Sequence, residues 1–179
     1  MRGREVRRGP TNPGRASRIT QHVSTEQTSS HRLAKGLLAG LIAGVVATAA
    51  KSMAEKIYPP RTHGEPEPPE ALAEKIAGHS LDRERKEIAA ETIHWGFGAL
   101  AGAAYGALAE FYPAATSKEG ATFGLTLMSL THETALPAMA LSAPPEEQTA
   151  REHTSEAASH ILYGVVTERV RKFVRGMLD

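Results

Sequence analysis

The chain has 179 residues, enough for one domain, with 41% hydrophobic residues, 23% charged residues and a net charge of +1. It contains no cysteine, which excludes disulfides, thiol catalysis and cysteine-ligated metals. These averages are those of a soluble domain, but the charge is unevenly spread: the windows 36–50, 95–109 and 120–131 carry none.

Residues 1–32 are rich in Arg, Ser, Thr, Gly and Pro and show no helical period, so a disordered basic tail is expected there. Over residues 1–35, eight Lys/Arg stand against two acids, a balance of +6. Beside an apolar run, such a tail marks the cytoplasmic side of a membrane, and no nucleic-acid partner is expected. Ala47-Thr48-Ala49 resembles a signal-peptide cleavage site, but the basic stretch before the apolar run is too long for that class.

A first helix is expected over 33–58, stopped by Pro59-Pro60. It carries Gly36, Gly40 and Gly44 at four-residue spacing, and a second apolar run carries Gly98, Gly102 and Gly106 in the same way. Glycine costs a helix about 1 kcal/mol against alanine. In a bilayer, where apolar side chains gain little by meeting, small residues that let backbones touch become the packing device. The glycine pattern therefore predicts a membrane bundle packed as a glycine zipper, with self-association into a homo-oligomer through the glycine seams as a further expectation.

The segment 59–81 reads as an outer loop with a short amphipathic helix over about 69–77, stopped by Gly78. Further spans are expected over 82–112, 118–141 and 151–177, with Pro137 kinking the third. The membrane domain is thus 33–177. Segment 51–90 has seven Lys/Arg against eight acids, 142–156 has one against four, and the tail from Arg169 has four against one. Four spans with both termini cytoplasmic satisfy these balances. Tyr58 and Trp95 then lie at the outer interface, and Tyr112 and Phe173 at the inner one.

At about 1.5 Å per residue, Lys51 lies roughly 27 Å from the inner end of its helix and His94 roughly 26 Å from the inner end of its own. The same counting places His132, Glu156 and His160 in the outer half of the core, together with Glu91 and Glu133. Four helices thus supply one polar layer: Lys51, Glu91, His94, His132, Glu133, Glu156 and His160. Ionisable groups at such depth mark function or structural pairing. One reading is a layer of paired charges that orients the bundle, and the other is a proton or ion path. Lys51 with Glu55 reads as an i,i+4 pair or a snorkelling anchor. Glu91-x-x-His94 has the spacing of a carboxylate-bridged di-iron helix, but no second such pair exists, so neither metal nor cofactor is expected. No catalytic triad order, phosphate loop or zinc-protease motif is present, so no enzyme is expected.

The segments GLIAGVVATAAKSMAEKIYPPR, HWGFGALAGAAYGALAEFYP and SEAASHILYGVVTERVRK, with a histidine then a proline in the third helix, resemble the YagU-like family of uncharacterised bacterial inner-membrane proteins over roughly 33–173. The resemblance implies a four-span inner-membrane protein and places Lys51, His94, His132, Glu156, His160 and Glu168 on matching positions. It supplies no reaction. The segment 61–90 and the longer basic tail depart from it. The expectation is therefore an all-α, four-helix transmembrane bundle, a structural or interaction protein of the inner membrane in contact with lipid. The alternatives are a small ion channel or transporter, and a soluble helical bundle.

Overall fold

Proline and glycine set where the helices stop. In a computed structural model, which describes residues 13–61 and 65–178 (side chains from residue 28 on), every described element is helical and none is a strand. Helix α1 runs Pro13–Ile57, α2 Pro68–Ala77, α3 Arg83–Phe111, α4 Ala121–Leu130, α5 Leu136–Ala138 and α6 Ala150–Met177. The chain divides into the units Met1–Arg32 and Leu33–Asp179, and the second holds the candidate site.

Residues 13–32, expected to be disordered, are helical; residues 1–12 of that tail lie outside the described residues. The physical reason is continuity. No proline interrupts the chain between Pro13 and Pro59, and extending a helix needs no new nucleus. Elsewhere the ends follow local chemistry. Pro68 opens α2 and Gly78, at φ 72°, closes it. The Asp82 carboxylate accepts from the Arg85 backbone N–H at the start of α3. Thr149 and Glu152 form a reciprocal capping box at the start of α6.

The third expected helix is the one that differs. It starts at Ala121 rather than Lys118, because Lys118, Glu119 and Gly120 have φ of 50°, 54° and 86°. It is then broken by a π-helical turn, Thr131–Ala135. Pro137 has no N–H and its ring crowds the carbonyl four residues back, which the wider π turn relieves. The Leu136 N–H accordingly reaches the Thr131 carbonyl, five residues back.

Two pairs of helices meet backbone to backbone. A methyl group added to Gly102 of α3 would lie 2.5 Å from Gly44 Cα of α1, and one on Gly106 would lie 2.7 Å from Gly40 Cα. Gly36 faces Gly106, and Gly98 faces Thr48. Both glycine rows are thus consumed by each other within one chain. A second such contact, between α4 and α6, was not foreseen. A methyl on Gly164 would lie 3.0 Å from Gly124 Cα, and one on Gly120 would lie 2.9 Å from Glu168 Cβ. Between the pairs, Tyr105 of α3 stacks on Phe123 of α4 with centroids 4.3 Å apart, and Tyr163 of α6 donates to the Gly98 carbonyl at 2.6 Å.

The distribution of side chains is inverted relative to a water-soluble bundle. The inward stripe of α1 is Gly36, Ala39, Gly40, Ala43, Gly44, Ala47, Thr48 and Lys51, while Leu37, Leu38, Leu41, Ile42, Val45 and Val46 are exposed. On α6 the buried stripe includes Ser155, Glu156, Ser159, His160, Thr167, Glu168 and Arg171, whereas Ile161, Leu162 and Phe173 are exposed. Phe97, Leu100, Leu108 and Phe111 of α3 and Leu125 and Leu130 of α4 are also exposed. By length and composition, Thr28–Ile57 is the one stretch among the described residues that can cross a membrane.

Candidate functional site

The polar residues of α1, α6 and the π turn converge on Glu156. Its carboxyl group is buried, with 3% of the side chain exposed. Lys51 Nζ lies 3.7 Å from Oε2, and Arg61 Nη1, from the loop after α1, lies 3.6 Å from Oε1. His132 Nδ1 lies 3.3 Å from Oε1, and His160 Nδ1 3.5 Å from Oε2. The two imidazoles meet edge to face with centroids 4.9 Å apart.

Each element has a reason to bring its residue here. The α4–α6 approach at Gly124 and Gly164 fixes the two helices in register, and His132 and Glu156 each stand eight residues further along towards the same end. The π turn then shifts His132 off the straight-helix line; such turns recur at functional sites. The hydroxyls of Thr48, Thr167 and Ser159 are satisfied internally, as a dry interior demands. Thr48 donates to the Gly44 carbonyl at 2.8 Å, Thr167 to the Tyr163 carbonyl at 2.7 Å, and Ser159 to Glu55 at 3.2 Å.

Both cations at this site have a carboxylate of their own. Lys51 Nζ is in close contact with Glu55, four residues on, and Arg61 donates to Glu67 at 2.8 Å. Neither forms a hydrogen bond to Glu156, whose Oε2 is buried with no hydrogen-bond partner. His160 Nδ1 lies 2.8 Å from the Glu156 backbone carbonyl, which makes Nδ1 the protonated nitrogen and leaves the Nε2 lone pair free.

Of the seven residues expected in one layer, Lys51, His132, Glu156 and His160 are brought together. His94 stands beside this group, its Nε2 3.1 Å from Ser52 Oγ. Glu91 and Glu133 do not join. Glu91 is exposed and accepts from the Trp95 indole at 2.7 Å, and Glu133 faces His153 at 3.3 Å. Depth along a helix placed them in the layer, but their azimuth turns them away. Arg61 and Glu67 were missed, because a proline-rich loop has no period to read.

A second buried group lies at the other end of α6. Glu168, fully buried, accepts from Tyr105 Oη at 2.8 Å and makes a two-point contact with Arg171 at 2.7 and 2.9 Å. Lys172 lies 3.2 Å away, and nearby Arg175 binds Glu110 at 2.6 Å. Beside the α2–α3 turn, the Glu74 carboxylate of α2 accepts from the Leu81 N–H at 3.1 Å and lies 3.4 Å from Lys86 at the start of α3. The Leu81 N–H chiefly, and Lys86 after it, hold the Glu74 carboxyl below its ordinary value.

The sequence profile of a family described as "Protein of unknown function (DUF1440)" matches residues 45–169, which include Lys51, Glu55, Arg61, His132, Glu156 and His160. No curated protein and no solved structure matches the chain.

Proposed function

Because this chain belongs to the family described as protein of unknown function (DUF1440), we propose its role from its own geometry: a multi-pass helical protein of the bacterial inner membrane, structural or interacting rather than enzymatic. The observation that carries this reading is the inverted burial. Leu, Ile, Val and Phe face outward on α1, α3, α4 and α6, while Glu156, His160, Glu168 and Arg171 face inward. In water this arrangement exposes the wrong surface. In lipid it is the favourable one, because exposed aliphatic surface costs nothing there and polar groups must be satisfied inside.

Helices α3 and α6 fall short of a span by composition because their inward faces are polar, whereas their 29 and 28 residues are long enough for a core about 30 Å thick. Glycine-zipper packing of α1 on α3 and of α4 on α6 then takes the place of a hydrophobic core. The likeness to YagU-like inner-membrane proteins supports the same location. Since the glycine rows are occupied within the chain, any homo-oligomer uses another surface, and the exposed aliphatic faces are what the lipid meets.

The absence of cysteine makes the test direct. Single cysteines replacing Ser80 and Ser117, both exposed, are probed in intact cells with a membrane-impermeant thiol reagent. Labelling of Ser80→Cys outside, labelling of Ser117→Cys only after permeabilisation, and resistance of the protein to carbonate extraction are expected. Release by carbonate, or labelling in the opposite order, overturns the reading.

A further inference from the structure

We propose that His132, Glu156 and His160 form a binding site for one divalent first-row transition-metal ion, Zn2+ being the cation that suits the donor set. One donor atom from each of the three lies within 4.8 Å of the other two. Two bonds of about 2.0–2.1 Å at a tetrahedral angle place donors roughly 3.3 Å apart. His132 Nδ1 and Glu156 Oε1 already stand at 3.3 Å, the separation that two ligands of one ion require.

Three further observations point the same way. Glu156 Oε2 is buried without a hydrogen-bond partner, an expensive state for a carboxylate, and Lys51 and Arg61 stand 3.7 and 3.6 Å from its oxygens without hydrogen-bonding to them. The Glu156 backbone carbonyl beside His160 Nδ1 fixes the tautomer, which is how metal-bound histidines are commonly held, by a bond from the second nitrogen to a carbonyl or carboxylate. The local charge is also arranged for a cation. Lys51 is matched by Glu55 and Arg61 by Glu67, so three carboxylates, Glu156 included, stand against two cations.

Two imidazoles and one carboxylate leave a fourth position open, the pattern of a site that binds a further small ligand. That position faces the His132 side, because 15% of the His132 side chain is exposed against 3% for Glu156 and 4% for His160. The di-iron spacing at Glu91-x-x-His94 plays no part. The ligands come from two elements, α6 and the π turn, which no single-helix spacing rule can detect.

The test uses the full chain, purified without a histidine tag and stripped with chelator, in detergent. Titration with Zn2+ is expected to reach one equivalent per chain, and Co2+ is expected to give ligand-field bands of a four-coordinate site. Glu156→Gln and His160→Ala should lose the bound equivalent, while His153→Ala and His94→Ala should keep it. Because the Glu156 and His160 variants remove buried groups, His132→Cys provides the decisive readout. In a chain without other cysteines, direct ligation adds a sulfur-to-cobalt charge-transfer band in the near ultraviolet. Substoichiometric Zn2+ binding by the wild type, undiminished binding in Glu156→Gln, or a Co2+ spectrum unchanged by His132→Cys each overturns the proposal.

Discussion

The Tyr105 hydroxyl donates to Glu168 at 2.8 Å, joining α3 to α6 across 63 residues of sequence. Glu168 is fully buried and also holds Arg171 by two contacts, so the two groups meet different costs on mutation. Tyr105→Phe removes one donor from a carboxylate that keeps Arg171, and about 1–2 kcal/mol of stability is expected to be lost. Glu168→Ala leaves the Arg171 charge without its partner, and a loss of about 3–5 kcal/mol is expected. Denaturant titration in detergent measures both, and equal losses would show that Arg171 is satisfied elsewhere.

Gly40 and Gly102 lie against backbone, whereas Gly96 has nothing beside it. Added bulk at Gly40 or Gly102 meets the opposite helix's main chain, which has no rotamer with which to yield. Gly40→Leu and Gly102→Leu should separate α1 from α3 and cost about 3 kcal/mol, the upper end for overpacking. Gly96 in α3 has open space around it, and Gly96→Ala should instead stabilise the helix by up to about 1 kcal/mol. Melting temperatures for the three variants decide the matter by their signs.

Gly120 carries two constraints at once. Its φ is 86°, and a methyl group there would meet the Gly164 carbonyl. Gly78, at φ 72°, has nothing within 4 Å. Left-handed backbone costs a non-glycine residue about 1–2 kcal/mol, so Gly78→Ala should show that cost alone. Gly120→Ala should exceed it by the price of parting α4 from α6. Equal melting shifts would mean that the helix contact yields freely.

Glu74 gives a pH dependence of definite sign. Its carboxyl lies below the ordinary value of 4.5, chiefly through the Leu81 N–H and then through Lys86. The unfolded carboxyl therefore binds its proton first on acidification. The contribution is whole above pH 4.5 and is lost as pH falls through the lower folded value. Exchange of the Leu81 amide, corrected for its intrinsic rate, should accelerate over that range. In Glu74→Gln the acceleration should vanish, because the amide oxygen still accepts and no longer titrates.

Helix ends were legible wherever one residue dictates them. Gly78 closes α2, Asp82 opens α3 and Pro113 follows its end, each within a residue or two of expectation. The start of α4 was not, because nothing local requires Lys118 and Glu119 to adopt positive φ; the close pass of Gly120 against α6 does. The polar layer was legible as depth, which needs only counting along a helix. It was not legible as azimuth across helices, and so Glu91 and Glu133 were included and Arg61 was not. The α4–α6 glycine contact escaped notice because Gly120, Gly124 and Gly164 form a repeat in space and not along one helix.

That contact limits how the molecule can move. Where Gly124 lies against the His160 carbonyl and Gly164 against Gly124, no side chains stand between the helices to slide or repack. Axial displacement of α4 would meet peptide groups at once. The π turn beyond Leu130 makes no such backbone contact, and none of Thr131–Ala135 is fully buried. The side chain carried by that turn is His132, so the contact of this helix with Glu156 is made from the one segment that the glycine contact does not clamp.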